Sequence, residues 1–234
     1  MERAMRAADV MVTNVISVGP DATVEEVAQT LLSARISGVP VVSKAGELIG
    51  IVSEGDLMHR AEAGTGRRRP WWLAAFLGKH ALAAEFVKEH SRSVTDVMTR
   101  EVVTATPEMP LSEIANLLEK NAIKRVPIIK DGKIVGIVSR ANLLQALAVA
   151  GKKRAGAEPS DDATIRDKVM TQIDAEPWSR PSLINVIVQD GTVELWGIVD
   201  SVSEKKAVHI AAEITPGVRA VNDNLIICPA QAGY

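Results

Sequence analysis

Apolar and polar positions along this chain follow two rhythms, one of strands and one of helices. Residues 15–18 are a short β-rich run closed by Pro20. Thr23 and Glu26 then form a capping box ahead of Val24, Val27, Ala28, Leu31 and Leu32, an apolar stripe at helical spacing. Residues 39–42 and 48–52 are apolar runs of strand length, separated by the turn signal Lys44-Ala45-Gly46. Ser53 opens a closing helix. The predicted order is strand, helix, two strands, helix.

The same order returns further along. Asp9-Val10-Met11 recurs as Asp96-Val97-Met98, Pro20 as Pro107, Glu26 as Glu113 and Ala28 as Ala115. Val39-Pro40-Val41-Val42 recurs as Val126-Pro127-Ile128-Ile129, and Gly50-Ile51-Val52-Ser53 as Gly136-Ile137-Val138-Ser139. Asp131-Gly132 takes the turn between the second pair of strands. One such unit has more apolar surface than it can cover, and two packed together can cover each other's sheets.

These motifs, ending in Gly-Ile-Val-Ser-x-x-(Asp/Asn)-Leu, resemble the CBS motif, and the pair resembles a Bateman module. The repeats span residues 5–60 and 93–150, with residues 61–92 between them. The resemblance implies a pseudo-twofold pair of α/β (α+β) class, often dimerised. It also implies clefts that bind AMP, ADP, ATP or another adenosyl compound. The helices after Ser53 and Ser139 carry Leu57, Met58, Leu143, Leu144 and Leu147, and in such a module helices of this kind commonly pack against a second copy.

Ser53 lies where a strand passes into a helix, and a helix N-terminus offers free N–H groups and positive dipole to a phosphate. Asp56, one turn later, has the geometry to accept two hydrogen bonds from a ribose diol. The resemblance assigns Ser53 and Asp56 those roles, with Ile51 beside them. It draws the rest of the cleft from the facing repeat: Val103 and Thr104, Lys124, Arg125 and Pro127, with Arg140 as a further phosphate-binding candidate. Ser-x-x-Asp is also a capping box, so Ser53 and Asp56 equally suit a purely structural helix end. The second cleft has Ser139 and Asn142 in place of Ser and Asp, faced by Ser17, Ser37, Gly38, Val39 and Pro40 with no cation. It is the weaker nucleotide site.

Within residues 61–92, Arg67-Arg68-Arg69-Pro70-Trp71-Trp72 precedes a helical stretch at residues 73–88. Both phenylalanines, Phe76 and Phe86, and two of the four tryptophans fall here. Basic residues beside tryptophan suit a phospholipid surface or an anionic partner. Trp71, Trp72, Phe76 and Leu77 suit equally well a packed insertion over a sheet or a dimer seam.

Residues 151–162 are rich in charge, Gly and Ala and are expected to form a hinge. Residues 163–228 then read α-β-β-α-β, with Asp190-Gly191 joining two alternating strands, Ser201 and Glu204 capping the second helix, and Pro216-Gly217 ending it. With Val193-Glu194-Leu195-Trp196-Gly197-Ile198-Val199 and Gly217-Val218 leading into Val221-Asn222, this segment resembles the BON domain. Gly197 is its best marker. Members of that family are linked to phospholipid surfaces, whereas Trp196 suits a core or an interface better than a lipid anchor.

Composition narrows the function. The 234 residues carry a net charge of −2, which argues against general affinity for nucleic acid. A single cysteine, Cys228, precludes an internal disulfide. The first residues are interrupted by Glu2, Arg3, Arg6 and Asp9 and do not read as a signal peptide, so a cytoplasmic location is expected. His59, His80, His90 and His209 lack metal-ligand spacing, and no nucleophile elbow or phosphate-binding Gly-rich loop appears. The chain therefore reads as a non-catalytic sensor in which a nucleotide alters how the C-terminal domain meets a protein partner. The alternatives are a structural adaptor with degenerate clefts and a membrane-surface protein.

Overall fold

In the computed structural model, the described residues are 4–58, 60, 79–150 and 161–229. The basic-aromatic run at residues 67–77 and most of the expected hinge fall outside them. The chain divides into two compact units, one of residues 16–102 with 132–134, the other of residues 1–15, 103–131 and 135–234.

The first unit holds one repeat. Helix α2 (Val24–Ser33) begins at Thr23, whose hydroxyl accepts the Glu26 N–H at 3.1 Å, while Glu26 accepts the Thr23 N–H at 2.7 Å. Those hydrogen bonds hold the Glu26 carboxyl below its ordinary pKa. Strands β1 (Gly38–Val42) and β2 (Leu48–Ser53) form an antiparallel pair, followed by the short α3 (Glu54–Leu57). The expected strand at residues 15–18 is reduced to one parallel bridge, Val18 to Val41. Helix α4 (Lys79–His90) has its C-terminal end clamped by the buried Arg60, whose guanidinium donates to the Lys88 and Ser91 carbonyls at 2.6 Å each.

The second unit repeats this plan with α6 (Leu111–Lys120), β3 (Arg125–Lys130), β4 (Lys133–Ser139) and α7 (Arg140–Ala150). The Asp-Val-Met segments are exchanged between the repeats. Short helix α1 (Ala7–Val10), at the start of the first motif, lies in the second unit, where Ala7 and Val10 are fully buried among Ile114, Val126, Ile128 and Val138. Val12 exchanges hydrogen bonds with Ile137 at 2.9 and 3.0 Å. Correspondingly, α5 (Val94–Val97) lies in the first unit with Val27, Val39, Val41 and Val52, and Ile51 exchanges bonds with Thr99. Gly136 and Gly50 permit this, because a Cβ at either would overlap the Sδ of Met11 or of Met98.

The second unit also contains the C-terminal domain: α8 (Asp162–Asp174), β5 (Ile184–Gln189), β6 (Thr192–Val199), α9 (Val202–Glu213) and β7 (Ala220–Ile227). The sheet order is β5-β6-β7, with β6 antiparallel to β5 and parallel to β7. One face packs on both helices through Ile165, Val169, Ile173, Val186, Leu195 and Val208. On the other face, Ile187 is fully buried in the core of the second repeat, and the half-buried Trp196 packs against it. An interface is therefore the role of Trp196. The helix of this domain begins at Asp162, inside the segment expected to be a hinge, with Asp161 as its N-cap.

Candidate functional site

Each unit contains one strand-to-helix turn of the kind expected to meet a phosphate. In the first, the hairpin register pairs Gly38 with Ser53, Val39 with Val52 and Pro40 with Ile51. The beginning of β1 thus lies opposite the end of β2, and the Glu54 N–H donates to the Ser37 carbonyl at 3.1 Å. The Val18 N–H donates to the Pro40 carbonyl at 3.0 Å, which brings Ser17 to the same strand. Asp56 Oδ2 accepts both the Ser53 N–H at 2.9 Å and the Ser53 hydroxyl at 2.7 Å. The capping box is therefore real, and it occupies one carboxylate oxygen. Asp56 Oδ1 makes no hydrogen bond among the described residues.

In the second unit, the Arg140 N–H donates to the Lys124 carbonyl at 3.1 Å, and the Ala105 N–H to the Pro127 carbonyl at 3.0 Å. Lys124, Arg125 and Pro127, the Val103-Thr104 segment leading into Ala105, and Arg140 thus gather around the start of α7. Asn142 Oδ1 accepts the Ser139 N–H at 2.7 Å and the Ser139 hydroxyl at 2.8 Å, the same pair of bonds that Asp56 makes. Its second polar atom is also engaged, because Nδ2 donates to Gln145 Oε1 at 3.2 Å. Asn142 is 5% exposed.

Backbone contacts join each helix start to strands of its own repeat. The reason lies in the hairpin. An antiparallel pair places the first residues of one strand opposite the last of the other, so Ser37-Gly38 must flank Ser53, and Lys124-Arg125 must flank Ser139. Three functional-looking groups escaped the sequence reading altogether: Gln145, Asn185 and Arg166. No group of three or more His, Cys, Asp or Glu suited to a metal is present among the described residues. No described helix is long and apolar enough to cross a membrane.

The repeated hairpin with its capped helix start finds its counterpart in known proteins. Residues 7–63 and 94–149 match the CBS domain model, and residues 161–229 match the BON domain model. The uncharacterized protein MJ1426 of Methanocaldococcus jannaschii is 39% identical over 124 residues, covering 48% of this chain and 74% of that protein. This chain is a CBS-pair protein with a BON domain. The chloroplastic CBS domain-containing protein CBSX1 of Arabidopsis thaliana is 30% identical over 135 residues, covering 55% of this chain and 57% of its own length. Inosine-5'-monophosphate dehydrogenase of Thermoplasma acidophilum is 31% identical over 146 residues, but the match spans 24% of that enzyme. Among solved structures, CBSX2 of Arabidopsis thaliana in complex with AMP superposes with a TM-score of 0.54 at 26% identity. That match covers 63% of this chain and 99% of CBSX2. The two capped turns described above belong to the CBS pair, and the docked sheet to the BON domain.

Proposed function

We propose that this CBS-pair protein is a non-catalytic regulator whose pair binds an adenine nucleotide or another adenosyl ligand and passes that event to the BON domain. The observation that carries the reading is the likeness of the pair to CBSX2, a protein solved with AMP bound. Asp56 supports it: a carboxylate that caps its helix with one oxygen retains the other for a ribose hydroxyl. The cations Lys124, Arg125 and Arg140, beside the N-terminus of an 11-residue helix, supply a phosphate-binding group.

Calorimetric titration with AMP tests this directly. A hydrogen bond to a charged group contributes about 1.5–3 kcal/mol, so Asp56→Ala and Arg125→Ala are each expected to weaken AMP about tenfold or more. Asn142→Ala has a smaller effect, because both polar atoms of Asn142 are spent inside the protein. A folded Asp56→Ala protein that melts earlier yet binds AMP unchanged would reduce Asp56 to a helix cap. A wild-type chain that binds no AMP at millimolar concentration leaves the pair as an assembly scaffold.

The proposal includes a homodimer. Met58 is 61% exposed, Leu144 67% and Leu147 70%, on the helices that follow the two capped turns, whereas Leu57 and Leu143 pack inward. Sedimentation velocity is expected to give a dimer for the wild type and a monomer for Leu144→Glu/Leu147→Glu. A wild-type monomer at all concentrations removes this part of the reading.

A further inference from the structure

The first repeat has Asp56 where the second has Asn142, and the second repeat alone carries a docked domain in its unit. We infer that Asn142 is a positioning residue that ties the capped turn of the second repeat to the BON sheet, and that it is an amide because that link needs a donor.

The link is a chain of side chains. Ser139 donates twice to Asn142 Oδ1, Asn142 Nδ2 donates to Gln145 Oε1 at 3.2 Å, and Asn185 Nδ2 on β5 donates to the same Gln145 Oε1 at 2.7 Å. Asn185 is 4% exposed, and its own Oδ1 has no partner among the described residues. Gln145 therefore accepts the hydrogen bond that this buried amide makes through Nδ2. Around the chain, Ile187 is buried among residues of the second repeat, and Arg166 of α8 donates to the Met11 carbonyl beside α1.

A carboxylate at position 142 would keep the cap and break the relay. Asp56 in the first repeat makes the same two bonds to its serine as Asn142 does, so the Asn142→Asp change preserves the turn. The second atom of the new carboxylate is then an anionic acceptor facing Gln145 Oε1, itself an acceptor already used by Asn185. Either the acceptors repel, or Gln145 rotates to donate to the new carboxylate and gives up its present bond from Asn185 Nδ2, so that the buried link must be rebuilt at a cost. Both outcomes favour separation of β5 from the second repeat. This gives the regulatory reading a route from Ser139 to the BON sheet, and the docking itself holds whether or not AMP binds.

Thiol labelling of the full chain tests it. In a Cys228→Ser background, Ile187→Cys places a thiol at the docked face, where labelling requires opening. Val41→Cys, in the core of the first unit, reports global unfolding instead. Asn142→Asp is expected to speed labelling at position 187 about tenfold or more, with less than about a twofold change at position 41. Asn185→Asp, which places the charge at the other end of the chain, does the same. Unchanged labelling at 187 in both variants overturns the inference, and so does equal acceleration at 187 and 41. Failure of AMP binding, read separately by calorimetry, bears on the proposed ligand and not on this result.

Discussion

Gly197→Ala is expected to destabilise the BON domain by about 2–6 kcal/mol. Gly197 lies within β6, the central strand, paired with Ile184 on one side and Leu225 on the other. Its φ of +135° belongs to a region that side chains rarely adopt. A Cβ there would also overlap the Leu183 carbonyl oxygen, with Ile184 Cα at 3.0 Å. These neighbours are backbone, so nothing can rotate aside. Backbone strain of about 1–3 kcal/mol and overpacking of about 1–3 kcal/mol combine in one substitution. For a domain of this size, 1 kcal/mol corresponds to about 4–8 °C, so the midpoint should fall by about 8 °C or more. Thermal denaturation of the full chain, followed by circular dichroism, provides the measurement. A decrease of less than about 4 °C would show that β6 can relax without cost, contrary to its position.

Arg166→Ala is expected to cost about 3 kcal/mol and to do so chiefly at the seam between the BON domain and the second CBS repeat. Arg166 is 4% exposed, and its guanidinium spans two elements: Nε donates to Val186 on β5 at 2.8 Å, and Nη2 donates to Met11 at 2.5 Å. Burial lowers its pKa, while Asp167 and Asp9 act in the opposite direction. Arginine nonetheless remains charged at neutral pH, so its desolvation is a standing cost that these two carbonyls offset. Because arginine stays protonated across the neutral range, the contribution of Arg166 should not vary there with pH. Removing the fork loses two hydrogen bonds from a charged donor, each worth about 1.5–3 kcal/mol and not fully additive. Arg166→Lys can keep one bond and should fall between Ala and wild type. Urea denaturation gives the ordering, and equal stabilities of the Lys and Ala variants would show that the fork geometry is immaterial.

Much of this architecture is local and therefore legible in the sequence. Thr23 with Glu26 and Ser201 with Glu204 announce helix starts over a few residues, and Asp190-Gly191 joins strands that pair directly across it. The doubled Gly-Ile-Val-Ser motif marks the two capped turns. What escaped was non-local. Nothing in the rhythm of residues 5–12 says that they pack on β4 instead of on their own repeat, since Val12 meets Ile137 far along the chain. Arg166 and Gln145 fall within the buried stripes of their helices, beside Val169 and Met170 and between Asn142 and Val149, where a polar residue is unexpected. Asn185 lies on the face of β5 that carries Ile187, which is buried in the core of the second repeat, and periodicity does not encode that docking. The hairpin neighbours of each turn were legible as well, because antiparallel register alone places Ser37 beside Ser53 and Lys124 beside Ser139.

The exchanged Asp-Val-Met segments impose an order of events on a chain made from its N-terminus. Met11 is made well before the glycine notch that receives it, Gly136 of β4. At about 5–20 residues per second, the intervening stretch takes on the order of ten seconds to emerge. The first unit meets no such delay at its own start, since Met98 is synthesised after the Gly50 surface that accepts it. The repeat made first can therefore close while Ala7, Val10 and Met11 are still solvent-exposed. During that interval they form a small apolar hook, which a chaperone, or the second unit of a neighbouring nascent chain, is able to capture. Polysomes would then be the place where exchange between chains begins.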